Sequence, residues 1–131
     1  MTSRPELQIH RSIAQYLWTA HPKLLWFHVP NGGSRNVVEA SILKSMGTLA
    51  GVPDIVVVLP GGYVGFMEIK PERAYLSDAQ KAFAERASAA GAAWRVVRSI
   101  DDVKDTLKVW LHPKLAHSAY AVAGATTEGS V

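Results

Sequence analysis

The sequence contains no cysteine. That absence excludes a disulfide framework, a thiolate zinc site and a cysteine nucleophile together, and it makes an intracellular location the easier reading. Long apolar runs are missing too. No stretch approaches the roughly 18 residues that a membrane span needs, and the opening Met1-Thr2-Ser3-Arg4-Pro5-Glu6 leads into mixed polar sequence. The expectation is a soluble, untargeted chain with no membrane partner, in the cytoplasm, or in that of the host if virally encoded. Neither sign of charge dominates: 14 Lys+Arg stand against 11 Asp+Glu, a net +3. With a pI near 9.3 this favours an anionic partner without demanding one. Several catalytic signatures are absent as well, among them Gly-x-Ser-x-Gly, Gly-Lys-Ser/Thr and His-Glu-x-x-His, and the five histidines are scattered.

What is present suits one domain, since 131 residues at 48% apolar content can fill a single core. From Leu7 to about Ala20, Ile9, Ile13, Tyr16, Leu17 and Ala20 recur at helical spacing. A short apolar strand, Leu24 to Val29, then runs into the turn-forming Pro30-Asn31-Gly32-Gly33. Val38, Ile42 and Met46 mark a second helix stopped by Gly47. Asp54 to Leu59 and Tyr63 to Lys70, separated by Pro60-Gly61-Gly62, read as a β-hairpin. Ser77 with Gln80 three residues on has capping-box spacing and opens a third helix, with Ala79, Phe83, Ala87 and Ala90 along one face. Trp94 to Val97 is a further strand, and Ser99 with Asp102 caps a last helix that His112-Pro113 stops. This alternation predicts an α/β fold, a central mixed β-sheet flanked by helices. The folded domain is expected to occupy residues 1–113. Residues 114–131, rich in Ala, Ser, Thr and Gly, read as a tail.

The hairpin carries the chemistry. Side chains alternate along a strand, so Glu68 and Lys70 point to one face while Ile69 turns to the other. If the two strands are antiparallel about Pro60-Gly61-Gly62, Asp54 at the start of the first lies beside Glu68 and Lys70 at the end of the second. Two carboxylates gathered at a sheet end repel unless a cation sits between them. Magnesium fits, because it prefers oxygen ligands and takes one or two carboxylates from a protein. Asp54 and Glu68 would supply these, the Ile69 carbonyl a further oxygen, and Lys70 would orient water or stabilise charge on a phosphate under attack. Phosphodiester hydrolysis is the reaction such a group performs.

Gly51-Val52-Pro53-Asp54, a hairpin, then Glu68-Ile69-Lys70 resembles the PD-(D/E)XK nuclease superfamily and, within it, the VRR-NUC group. Glu6 early in the first helix, Gly47 with Gly51 before the Pro-Asp, and Ser77 with Gln80 after the Lys stand at places this group also marks. The resemblance runs from Glu6 to about Leu111. It implies a restriction-endonuclease-like core, similar to Holliday-junction resolvases. It also implies a Mg²⁺- or Mn²⁺-dependent endonuclease acting on branched DNA, junction or flap, with Glu6 joining the metal ligands and Gln80 beside the site.

Other residues have plainer explanations beside the functional ones. A glutamate in a helix's first turn is favoured by the helix dipole, and a capping box would satisfy backbone groups with the same Gln80 side chain. Arg35 and Asn31, with His28 less so, are candidates for DNA contact from the loop after the first strand, as are Arg73 and Lys81 flanking the site. A plain turn or a solvated surface explains them too. Gly61-Gly62 reads better as a turn than as a phosphate cradle, and Trp18, Trp26, Trp94 and Trp110 as core. Cutting both strands of a symmetric junction needs two active sites, which predicts a homodimer. The rival is a catalytically silent nuclease-fold module that binds DNA within a larger assembly. A sequence-reading restriction enzyme is disfavoured because no added specificity domain is evident.

Overall fold

The computed structural model describes residues 3–30 and 36–112. Asn31, Arg35 and the tail predicted from 114 to 131 lie outside the described residues. Helix α1 (Arg4–Ala20) begins three residues before the apolar period does. The cause is a cap: the Ser3 side chain accepts a hydrogen bond from the Glu6 N–H, and Pro5 occupies a first-turn position where its missing N–H costs nothing. Strand β1 (Leu25–His28) follows, then α2 (Val37–Ser45), capped by Asn36. Strands β2 (Ile55–Val58) and β3 (Val64–Ile69) are joined through a 3₁₀ turn at Pro60–Gly62. Helix α3 (Asp78–Ala89), β4 (Ala93–Val97) and α4 (Ile100–Trp110) complete the order. Both halves of the capping box at Ser77 and Gln80 are formed.

The strands form one mixed sheet in the order β1-β2-β3-β4, antiparallel at the first two pairings and parallel at β3-β4. This is the α/β architecture expected from the sequence. Period-2 alternation sends Ile55, Val57, Met67 and Ile69 to one face, where they are fully buried with Ile13 and Leu17 of α1 and Val103 and Leu107 of α4. On the other face Phe66 meets Phe83 of α3 edge-on, with ring centroids 5.0 Å apart. Two helices therefore cover one face, and α3 packs on the opposite one. No residue of α2 is buried.

The tryptophans divide. Trp110 is buried as expected, whereas Trp18 is 66% exposed and its ring stacks at a tilt on Trp26, 5.5 Å away. Helix geometry gives the reason. Ile13 and Leu17 take the core stripe, and the residue after Leu17 is rotated by about 100° out of it. Ala20 at the end of α1 and Ala90 after α3 are exposed as well. Among the described residues, no helix is long and apolar enough to cross a membrane.

Candidate active site

The hairpin register decides where the carboxyls meet. Ile55 pairs with Met67 across β2 and β3, so one step further Asp54 stands opposite Glu68, on the face shared with Val56 and Phe66. Asp54 is held from both sides. Its carboxylate Oδ2 accepts the Ile69 backbone N–H at 2.8 Å. Its carbonyl accepts the Val29 N–H at 2.9 Å and Nδ1–H of His28 at 2.7 Å. The end of β1 and the end of β3 thus fix one aspartate between them. Gly51 explains the approach to it: at φ +79°, with a built Cβ falling 2.2 Å from the Ala79 carbonyl oxygen, only glycine lets this segment lie against the first turn of α3.

Glu68 is the exceptional side chain. It is a carboxyl only 3% exposed, and its Oε1 is buried without a hydrogen-bond partner. Burial, then a hydrogen bond shared with Asp54 and the nearby Asp54 charge, push its pKa up to about 9, against a smaller opposing pull from Lys70. Without a cation, the pair is tolerated by keeping a proton on Glu68. A buried carboxyl with one unpartnered oxygen, paired by register with a second carboxylate, is also a donor set that a divalent cation with oxygen preference fits.

Lys70 follows β3 directly, is partly buried, and its backbone N–H donates to the Val97 carbonyl at 3.2 Å. Glu6, from the first turn of α1, comes into electrostatic range of both Asp54 and Lys70; burial first and then Asp54 raise its pKa. The fold therefore gathers Glu6, Asp54, Glu68 and Lys70 at one end of the sheet. Gln80 is committed locally, its Oε1 accepting the Ser77 N–H at 2.9 Å, which leaves its amide NH₂ uncommitted by the box. Arg73 is exposed at φ +68° in the turn after Lys70, and Lys81 is exposed on the first turns of α3.

Two histidines that looked scattered in the sequence also arrive here. His10, one helical turn beyond Glu6, and His28, at the end of β1, pack edge to face with centroids 4.4 Å apart. Burial, then the neighbouring His28, lower the pKa of His10, with Asp54 pulling the other way. The four-residue spacing from Glu6 was the only available signal, and it required knowing which face of α1 meets the sheet end.

No protein-family model and no curated protein matches the chain. Solved structures do. One described as a "VRR_NUC domain protein" superposes with a TM-score of 0.63 at 24% identity, covering 82% of this chain and 88% of its own. Another, "VRR_NUC domain", gives 0.55 at 23% identity over 81% of this chain and 97% of its own. The PD-(D/E)XK core implied by the sequence resemblance is consistent with both, and the chain has the VRR_NUC domain fold.

Proposed function

We propose that this chain is a Mg²⁺- or Mn²⁺-dependent DNA endonuclease whose centre is Asp54, Glu68 and Lys70. The observation that carries the reading is the buried Glu68 carboxyl, with an unpartnered oxygen, set against an aspartate anchored by two strands. A fold needs no such arrangement for stability, because an unpaired buried carboxyl is a cost. The likeness to solved VRR_NUC domains supports the same reading.

Asp54 and Glu68 would hold the cation, with the Ile69 carbonyl as a further oxygen and Glu6 extending the set from α1. The cation would supply charge neutralisation at the phosphate and a more acidic water. Lys70 places an ammonium beside the two carboxyls, where it can orient the attacking water and stabilise charge that develops on the phosphate oxygens. The Ile69 N–H keeps Asp54 in one rotamer, so the oxygen donors are ordered before substrate arrives. Gln80 would frame the site from the first turn of α3 through its amide NH₂. Arg73 and Lys81 would meet the DNA backbone, joined by Arg35 and Asn31 from the loop after β1. Branched DNA, junction or flap, is the proposed substrate, and a homodimer would bring two centres to a symmetric junction. Residues 1–113 would act as the nuclease domain.

The test is a nicking assay on duplex, flap and four-way-junction DNA with Mg²⁺ or Mn²⁺, comparing wild type with Asp54→Ala and Lys70→Ala. Binding without cutting by the wild type would replace this reading with the DNA-binding module.

A further inference from the structure

Among the described residues, one group of metal-ligating side chains lies beyond the Asp54-Glu68 pair: His10, His28 and Asp54, whose ligand atoms fall within 4.8 Å of one another. The nuclease reading uses Asp54 and has no task for the two imidazoles. Their arrangement is specific. A backbone carbonyl can only accept, so the 2.7 Å contact from His28 Nδ1 to the Asp54 carbonyl fixes the proton on Nδ1. In the neutral ring the lone pair then sits on Nε2. An imidazole oriented through one nitrogen by a carbonyl is the arrangement that metal-ligating histidines adopt. His10 reaches the same place from α1, and its edge-to-face contact with His28 keeps the two rings together.

We propose that His10, His28 and Asp54 form a second cation site, selective for transition-series divalent ions over Mg²⁺, sharing Asp54 with the oxygen-donor site of Glu68. Two imidazole nitrogens and one carboxylate suit Zn²⁺ or Co²⁺, whereas Mg²⁺ takes oxygen ligands and sheds water reluctantly. Three protein ligands leave positions open for water or a phosphate oxygen, and the exposure of His28 keeps that side accessible. Glu68, on the next strand, β3, supplies none of the three ligands. The site is defined by cation binding alone and does not depend on the nuclease reading.

The experiment titrates Co²⁺ into the untagged full chain without DNA, following visible d–d absorption and the imidazole ¹H–¹⁵N signals. Wild type, His10→Gln and His28→Gln are compared, each checked for folding by circular dichroism. Wild type is expected to bind Co²⁺ with shifts at His10 and His28, and to keep those shifts against millimolar Mg²⁺. Each histidine variant should bind at least about tenfold more weakly, as loss of a ligand or its support commonly costs. The proposal is overturned if folded wild type binds no Co²⁺, if Mg²⁺ displaces it, or if both histidine variants bind as wild type does. DNA cleavage with Mg²⁺ alongside no Co²⁺ binding would sink this site and leave the nuclease reading standing. Co²⁺ binding with no cleavage under any metal would do the reverse.

Discussion

The β2-β3 hairpin and α2 are both rich in aliphatic residues, yet the fold uses them in opposite ways. Ile55, Val57, Met67 and Ile69 are fully buried, while in α2 Val37 is 84% and Val38 67% exposed. The hairpin alternates, so one set of side chains serves the core and the other carries Glu68 and, beyond β3, Lys70. Helix α2 has no residue inside the core of this chain. Apolar content alone therefore did not say which segment supports the site; periodicity with a covered face did. The catalytic candidates are mounted on the most deeply packed strands of the molecule, which is where a geometry that must not drift is best held.

The largest effects should come from the hairpin's polar end. Asp54→Ala and Lys70→Ala are each expected to lower cleavage by roughly 10²–10³-fold, the scale of losing one transition-state-stabilising group, with the circular dichroism spectrum retained. Next come the packing residues. Met67→Ala and Leu17→Ala should each cost about 2–5 kcal/mol in urea unfolding, whereas Ile42→Ala in α2 should stay within about 0.5 kcal/mol. Equal losses at Met67 and Ile42 would break the contrast between the two regions.

A third prediction separates function from stability at Glu68. Its pKa stands near 4.5 when unperturbed and is pushed up to about 9 in the fold. The folded chain therefore holds a proton that the unfolded chain releases. The stability tied to that proton is fully present below pH 4.5 and is lost as pH rises toward 9. Chelator-treated protein should accordingly lose thermal stability over this window. Glu68→Gln, which cannot ionise, should flatten the Glu68 part of that decline, melt higher than wild type at pH 8, and fail to cleave DNA. A Glu68→Gln variant that melts lower than wild type there would contradict the burial argument. The smallest effect is expected at Gln80: Gln80→Ala removes half of a capping box and should cost up to about 1 kcal/mol by thermal melting. A drop in cleavage larger than that loss of folded protein would support its proposed place beside the site.

Much of this was readable from the sequence because local chemistry and global fold agree there. Pro53-Asp54 before a β-branched run, the Gly-Gly turn and the alternation through Glu68 and Lys70 fix one hairpin register, and that register alone sets Asp54 against Glu68. The capping residues Ser77 and Ser99 announced their helices in the same local way. What escaped depends on elements far apart in sequence. His10 and His28 meet only because α1 passes the end of β1, and the depth at which Glu68 is buried follows from packing around the whole sheet end. The exposure of Trp18 was hidden for a simpler reason: hydrophobic character does not reveal which of two adjacent helix positions faces the core.

The most direct test of the central claim is the nicking assay on duplex, flap and four-way-junction DNA in Mg²⁺ or Mn²⁺. The account predicts that wild type cuts, most readily on a branched substrate, and that Asp54→Ala and Lys70→Ala cut at least about 100-fold more slowly. Wild type that binds these DNAs without cutting any of them, or variants that cut as well as wild type, would contradict it.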